Sequence, residues 1–446
     1  MNFILAIALN LHYLCTLLLT FILNQYQKTM DSALAALIGL VLSIVLIIRK
    51  VSPVYSLIVG AITGGLLAGW GLVDTVSKMI EGVSSMSSAI LRIIAAGVLT
   101  GMLVKTGAAS RIAHSIINAL GQRFIYLALA LSAMILTAIG VFIDVAVITI
   151  APIAIISGSK LNLSRTKLLI ALIGGGKCGN IISPNPNTIA AAENFNNAPL
   201  PDVMMANIIP AIIGLLITVF VIVPMIPKSD LMTSEPGQKD NDENLPPLWA
   251  SLAGPIVTIA LMALRPICDI IIDPMIALPV GGIVGIITTG YYKNAMTCIN
   301  YGLEKMSGIA MLLIGTGTIA GIIKASAIKD VLVDALSGLA NGGTFMAPIS
   351  GALMSAATAS STAGATIASA SFGDAIMAAG VSAVWGAAMI NSGATVLDHL
   401  PHGSFFHATG GTMGMNVSQR LKLIPYETLV GFILAMGSVL TYMLIG

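Results

Sequence analysis

Charge-free apolar runs long enough to cross a bilayer recur along the whole chain, and they leave few folds open. Val51–Val73 lies between Lys50 and Asp74, and Phe124–Ile143 lies between Arg123 and Asp144. Val203–Pro227, Asn244–Leu264, Pro274–Tyr292, Met306–Ile323 and Thr428–Gly446 follow. A hydrocarbon core takes about 20 apolar residues per helical crossing. Barrel strands would be short and would alternate apolar with polar residues, and these runs do not. Only 9% of the residues are charged and 57% are hydrophobic, against about 25% charged in soluble domains. The expectation is an all-α polytopic membrane protein with about eleven to fourteen segments, some of them half-length. The lipid bilayer is its solvent, and the cell inner membrane is its expected location.

Several classes drop out. A net charge of +2 without a basic, aromatic-laced patch gives no footprint for nucleic acid. Cys15, Cys178, Cys268 and Cys298 form no CxxC pair and sit in or beside apolar stretches, which argues for packing rather than disulfides or zinc. No GxSxG or HExxH motif supports a hydrolase, and no cofactor is expected.

The chain divides in two. Residues 1–30 form an extra hydrophobic segment whose first basic residue is Lys28, unlike a secretory signal; it is either an added helix or an over-extended start, since Met30 opens a second one. Residues 228–246 form a polar linker, with two lysines and five acids in 228–243. On either side, 31–227 and 247–446 read as two membrane repeats. Pro53, Leu57, Val59, Gly60, Ile62, Gly64 and Gly69 recur 221 residues later as Pro274, Leu278, Val280, Gly281, Ile283, Gly285 and Gly290. At an offset of 220, Gly82, Gly97 and Gly101 recur as Gly302, Gly317 and Gly321. Two such halves are expected to be inverted copies that rock around a midplane site.

Three stretches do not make plain membrane helices. Residues 174–193 hold Pro184 and Pro186 among Asn180, Ser183, Asn185, Asn187 and Thr188. Irregular backbone at membrane depth survives only when it lines a cavity or is buried in protein, and a broken helix offers N–H groups to an anion; a turn-rich loop outside the membrane is the other reading. Residues 357–371 are dense in Ser, Thr and Gly, which suits either a re-entrant hairpin with Ser360, Ser361 and Thr362 at its tip or a helix–helix seam. Residues 390–411 gather Asn391, Ser392, Thr395, Asp398, His399, His402 and His407 around a proline. The H-x-x-H spacing across that proline is not a zinc helix, so a second broken helix is expected and no metal. The substrate-binding candidates are accordingly Asn180, Ser183, Asn185, Asn187, Thr188, Ser360, Ser361, Thr362, Asn391, Ser392, Thr395 and His402.

Asp144 and Asp398 are the candidates for proton coupling. Asp144 lies in an apolar context whose burial would disfavour its charge, or it caps a helix at the end of the span closed by Ile143. At the 220 offset it faces Gly364, so it breaks the repeat. Lys177 either neutralises an anionic substrate, pairs with Asp144, or marks a cytoplasmic interface.

Residues 101–122, 140–154, 183–193, 358–369 and 397–406 together resemble the gluconate permease (GntP) family of the ion-transporter superfamily. GMLVKTGAAS resembles its G-x-x-L-x-x-(S/T)GAA segment, and Asp144 falls on its acidic position. Pro184, Pro186, Ala190, Ala191, Ala192 and Glu193 match its PP-x-PGP-x-AAAE segment, while Ser183, Asn187 and Thr188 depart from it. LDHLPHGSFF looks more like the D-x-LPH-x-G pattern of branches associated with short hydroxy acids such as 3-hydroxybutyrate. The resemblance implies proton-coupled symport of a small organic anion, a sugar acid such as gluconate or a short hydroxy acid. A Na⁺-coupled carboxylate carrier or an organic-anion channel is the alternative, and a homo-oligomer remains open.

Overall fold

A computed structural model describes residues 32–227 and 245–446, apart from 269, 271, 329, 332–333, 335–341 and 402. The N-terminal hydrophobic segment, nearly all of the expected linker and the His402 candidate lie outside the described residues. Helices account for most of what is described, with no β-strand among the described residues. That follows from the medium, where only a helix or a closed barrel satisfies every backbone group internally.

The first half runs α1 (Ser32–Ile48), α2 (Pro53–Leu67), α3 (Leu72–Ser85), α4 (Ser87–Lys105), α5 (Ala108–Leu120), α6 (Ile125–Ala138), α7 (Ile143–Lys160), α8 (Arg165–Asn180), α9 (Pro186–Asn194) and a span α10 (Leu200–Met225) that is interrupted at Asn207. The second half runs α11 (Leu248–Cys268), α12 (Pro274–Thr288), α13 (Ala295–Ala325), α14 (Gly342–Thr358), α15 (Ser361–Ala378), α16 (Ala383–Gly393), α17 (Ser404–Thr412), α18 (Val417–Leu421) and α19 (Ile424–Ile445). Among the described residues, five helical spans are long and apolar enough to cross a membrane; a further bent pair, α5 with α6, turns through 106°. Four shorter apolar helices, among them α1, α2 and α12, accompany them.

Helix boundaries recur between the halves. Pro53 and Pro274 each open a helix at its first turn, where a missing N–H costs nothing. Gly69 and Gly290 end those helices with left-handed φ of 78° and 76°. Helix α7 recurs as α15 and α9 as α17, each 218 residues on at both ends. The structural offset therefore places Thr362, not Gly364, opposite Asp144; both are the second residue of their helices.

The repeated glycines sit where the halves meet. Gly82 abuts Gly317 and Gly321, Gly97 abuts Gly302, and Gly101 abuts Cys298. Each pair brings two backbones together with no room for a Cβ, the close approach that small residues permit between membrane helices. Positions rise along α3 and α4 as they fall along α13, so the packing is antiparallel.

This seam yields a matched test. Gly302→Ala places a methyl against the Gly97 backbone, whereas a Cβ at helical Gly411 meets nothing within 4 Å. Gly302→Ala is expected to destabilise the purified protein by about 1–3 kcal/mol, and Gly411→Ala to leave it unchanged or to gain up to about 1 kcal/mol in helix propensity. Thermal melts in one detergent check both.

Candidate functional site

Between α8 and α9 the chain leaves the helix at Ile181 and re-enters at Pro186. Asn185 fastens the gap. Its Oδ1 accepts from the Thr188 N–H and hydroxyl, both at 3.1 Å, and its amide donates to the Asn180 carbonyl at 2.8 Å and to Asn180 Oδ1 at 2.7 Å. In the second half, α14 ends at Thr358, Ala359 turns through a left-handed φ of 46°, and Ser360 caps α15 by accepting from the Ala363 N–H at 3.3 Å. Gly403 packs on that turn, where a Cβ would come within 2.6 Å of the Ala359 methyl. Residues 357–371 thus form a helix–turn–helix with 359–360 at the turn and Ser361 and Thr362 opening α15.

The broken segments meet although some 200 residues separate them. Thr362 Oγ1 donates to Asn187 Oδ1 at 2.6 Å, and Asn391 Nδ2 donates to Thr188 Oγ1 at 3.0 Å. Asn194 Nδ2 reaches Ser369 Oγ at 2.9 Å. Ser392 and Thr395 are buried, and their hydroxyls donate back to the carbonyls of Met389 and Ser392 at 3.0 and 2.7 Å. Asn180 Nδ2, Ser183 Oγ, Asn187 Nδ2 and Asn391 Oδ1 are buried without a hydrogen-bond partner. Buried polar atoms are nearly always paired, so four such atoms at one junction form a set of groups available to a ligand.

A cavity of about 340 Å³ opens beside this junction, within the range of small-molecule sites. The first turns of α7 (Phe142–Val145), α15 (Ser360–Thr362) and α17 (Ser404, Phe405) line it, together with Asn180, Asp398 and Lys305. Three helix N-termini present free N–H groups and positive dipole ends there, an arrangement that favours an anion. Asp144 sits in the first turn of α7 and accepts from the Val145 N–H at 2.9 Å. It is half-buried and faces the cavity rather than being enclosed by its apolar neighbours. Asp144 opens α7 instead of closing the preceding span, because Gly140, with a φ of 106°, lies in the break between α6 and α7.

Lys177, whose partner was left open, is fully buried and pairs with Asp398 at 2.7 Å, not with Asp144. Its ammonium also donates to the Thr395 carbonyl at 2.5 Å and lies 3.1 Å from His399 Nδ1. His399 Nε2 lies 3.1 Å from both the Ile424 carbonyl and the Thr428 hydroxyl. Three further ion pairs have no signature in the sequence. Arg420 and Glu427 are buried and bonded across the α18–α19 junction. On α4, Arg92 pairs with Glu193, at the end of α9, and with Asp273, which caps α12. Matching Glu193 to the AAAE pattern pointed at the residue but not at its partner.

The sequence model of the GntP family of permeases matches residues 32–445. The chain belongs to this family. An uncharacterized transporter of Haemophilus influenzae is 50% identical over 93% of this chain and 99% of its own length. A gluconate permease of Zymomonas mobilis is 24% identical over 68% of this chain and 73% of its own. Among solved structures, the Alcanivorax borkumensis YdaH transporter is similar with a TM-score of 0.61 at 13% identity, over 84% of this chain and 89% of that one, a likeness of fold. GntP membership and the apolar helices make this a multi-pass membrane permease, a transporter rather than an enzyme.

In this GntP permease the Arg92 cluster is open to a pH test. Burial works to raise the Asp273 carboxyl, but hydrogen bonds from Arg92 and the Met275 N–H outweigh it and hold the group below its ordinary value. A depressed carboxylate adds stability that is present above its unfolded pKa, about 3.9, and is lost as pH falls through the folded value. Arg92→Gln is expected to lower the melting temperature at neutral pH and to flatten its fall below about pH 4. Melting curves from pH 3 to 7 check this; an unchanged acid limb would show that the pair is not linked to folding.

Proposed function

We propose that this permease carries a small organic anion, a sugar acid such as gluconate or a short hydroxy acid, across the inner membrane in symport with protons. The observation that carries the reading is the convergence of three helix N-termini at one cavity lined by Asn180, beside a junction where Ser183, Asn187 and Asn391 also hold unpaired buried polar atoms. A carboxylate suits the N–H groups, and a hydroxylated chain suits the Asn180 amide and the Ser361 and Thr362 hydroxyls that line the cavity. The Zymomonas mobilis relative's name supports a sugar acid. The departures at Ser183, Asn187 and Thr188 fall at the junction, so they would tune which acid fits.

An inverted relation between the halves is supported by the glycine seam. Helices α4 and α13 occupy equivalent places in the repeat, yet they pack antiparallel. A two-fold axis that reverses a helix must stand perpendicular to it, so for helices that cross the membrane it lies near the membrane plane.

Proton coupling follows from charge in the cavity. An anionic substrate and the Asp144 carboxylate would share about 340 Å³, where their repulsion is poorly screened. Protonating Asp144 removes that repulsion, so anion and proton enter together. Asp398 is already neutralised by Lys177 and is the weaker candidate. A channel fits less well, since the polar groups gather at the junction of the broken segments instead of ringing a pore.

Asp144→Asn mimics the protonated state. In proteoliposomes it is expected to keep substrate exchange within a few-fold of wild type while accumulation driven by a pH gradient falls by tenfold or more. Concentrative uptake at the wild-type level by Asp144→Asn would end the coupling role. A screen of gluconate, 3-hydroxybutyrate, lactate, glycerate and D-serine by thermal shift identifies the anion; saturable uptake of none of them would reject the substrate class.

A further inference from the structure

The surroundings of the Lys177 head group resemble a cation site more than a substrate contact. Lys177 ends α8 and has no exposed surface. Its ammonium meets the Thr395 carbonyl at 2.5 Å, the Asp398 carboxylate at 2.7 Å, His399 Nδ1 at 3.1 Å and the Glu427 carbonyl at 3.4 Å. Thr395 and Asp398 lie where the chain is unwound between α16 and α17, which frees carbonyls from the helical ladder. Gly431 lies against the backbone of Thr395 and Val396, so α19 approaches the break without a side chain between them. Unwound carbonyls joined by a carboxylate are what secondary transporters use to coordinate a coupling cation. The ammonium's three donors are engaged there, and Lys177 itself does not line the cavity.

We propose that the Lys177 ammonium is a tethered replacement for a coupling alkali cation: it permanently fills an oxygen-rich cage at the second helix break, so transport needs no sodium, and truncating the lysine exposes a site that takes a free alkali cation. The sodium-independence of transport rests on the carrier reading above; the cage itself does not. The physical reason is charge. Asp398 is 3% exposed, and a buried carboxylate requires a counter-charge. In this chain the counter-charge arrives on a four-carbon stem from the first broken segment, which also holds the two breaks together.

The test compares full-length wild type with Lys177→Ala, purified and melted in choline chloride and in lithium, sodium or potassium chloride at constant ionic strength. Wild type is expected to melt at one temperature in all four salts. Lys177→Ala is expected to melt lower in choline and to recover by about 5 °C or more, saturably, with at least one alkali cation. Lys177→Ala/Asp398→Asn, which lacks the carboxylate, is expected to lose that response. A saturable sodium response in wild type overturns the proposal. So does a Lys177→Ala protein without an alkali-specific response, or one that folds in none of the salts, because a free cation then does not replace the tethered one. A parallel uptake assay, with sodium replaced by choline, is expected to leave wild-type transport unchanged, and sodium-dependent uptake counts against the proposal. Because melting involves no substrate, an alkali response without any uptake would reject the carrier reading and keep the cage, whereas uptake without the alkali response would do the reverse.

Discussion

Hydrocarbon offers no hydrogen-bond partner, so each peptide group freed where a helix breaks must find one inside the protein. The site follows from that constraint. At the first break Asn185 takes the Asn180 carbonyl, and the amides of Asn207 and Asn391 reach the Ile181 carbonyl at 3.4 and 3.5 Å. Asn207 also bonds the Ala388 carbonyl at 3.0 Å, tying α10 to α16. At the second break Lys177 takes the Thr395 carbonyl. The polar side chains that make these bonds would be costly anywhere else in the bilayer, so the breaks gather where they can answer one another. The groups left over form the candidate binding surface.

The repeat supplies the means of gathering them, and departures from it supply the chemistry. With α7, α8 and α9 related to α15, α16 and α17 by 218 residues at their starts, Lys177 stands opposite Thr395, Asn180 opposite Asp398, and Asp144 opposite Thr362. The first two pairs give the cation, its carbonyl and its carboxylate, with Asn180 beside the cavity as the neutral counterpart of Asp398. The third puts an acid and a hydroxyl on two helix N-termini that both face the cavity. Each pair sets a charged residue against a neutral one, so helices with recurring boundaries carry an asymmetric field.

Much of this was legible in the residues, for identifiable reasons. Charge-free runs report the membrane because charge is expensive there. The repeated glycines at 82, 97 and 101 and at 302, 317 and 321 were visible because a seam with no room for a Cβ admits only glycine. Pro184 and Pro186 mark the first break, and the candidates Asn187 and Thr188 are hydrogen-bonded to the candidates Thr362 and Asn391. What escaped has a common cause. A buried ion pair carries no local signature when its partners are far apart in sequence, so Lys177 was left between roles and Arg92 went unread. Arg420 and Glu427 lie just before the apolar run Thr428–Gly446, where nothing in the sequence marks them as buried. Gly140, in an apolar run, hid the helix break that turns Asp144 toward the cavity. Ser392 and Thr395 had the right chemistry, but their hydroxyls return to their own helix, as such residues often do.

The two acids divide the electrostatic work. Asp398 is held by a lysine that cannot leave, so its charge is fixed within the protein and the break it belongs to is cross-linked to α8. Asp144 lies in a first helical turn, where the dipole favours its anion, yet it faces an open cavity that an anionic ligand would have to share. A site with Asp398 alone would bind with no term linking occupancy to protonation. A site with Asp144 alone would leave the second break without its counter-charged anchor. In the proposed carrier, the fixed pair keeps the broken helices in register while the single variable charge ties anion binding to the proton, in a cavity that Lys305 of α13 also lines.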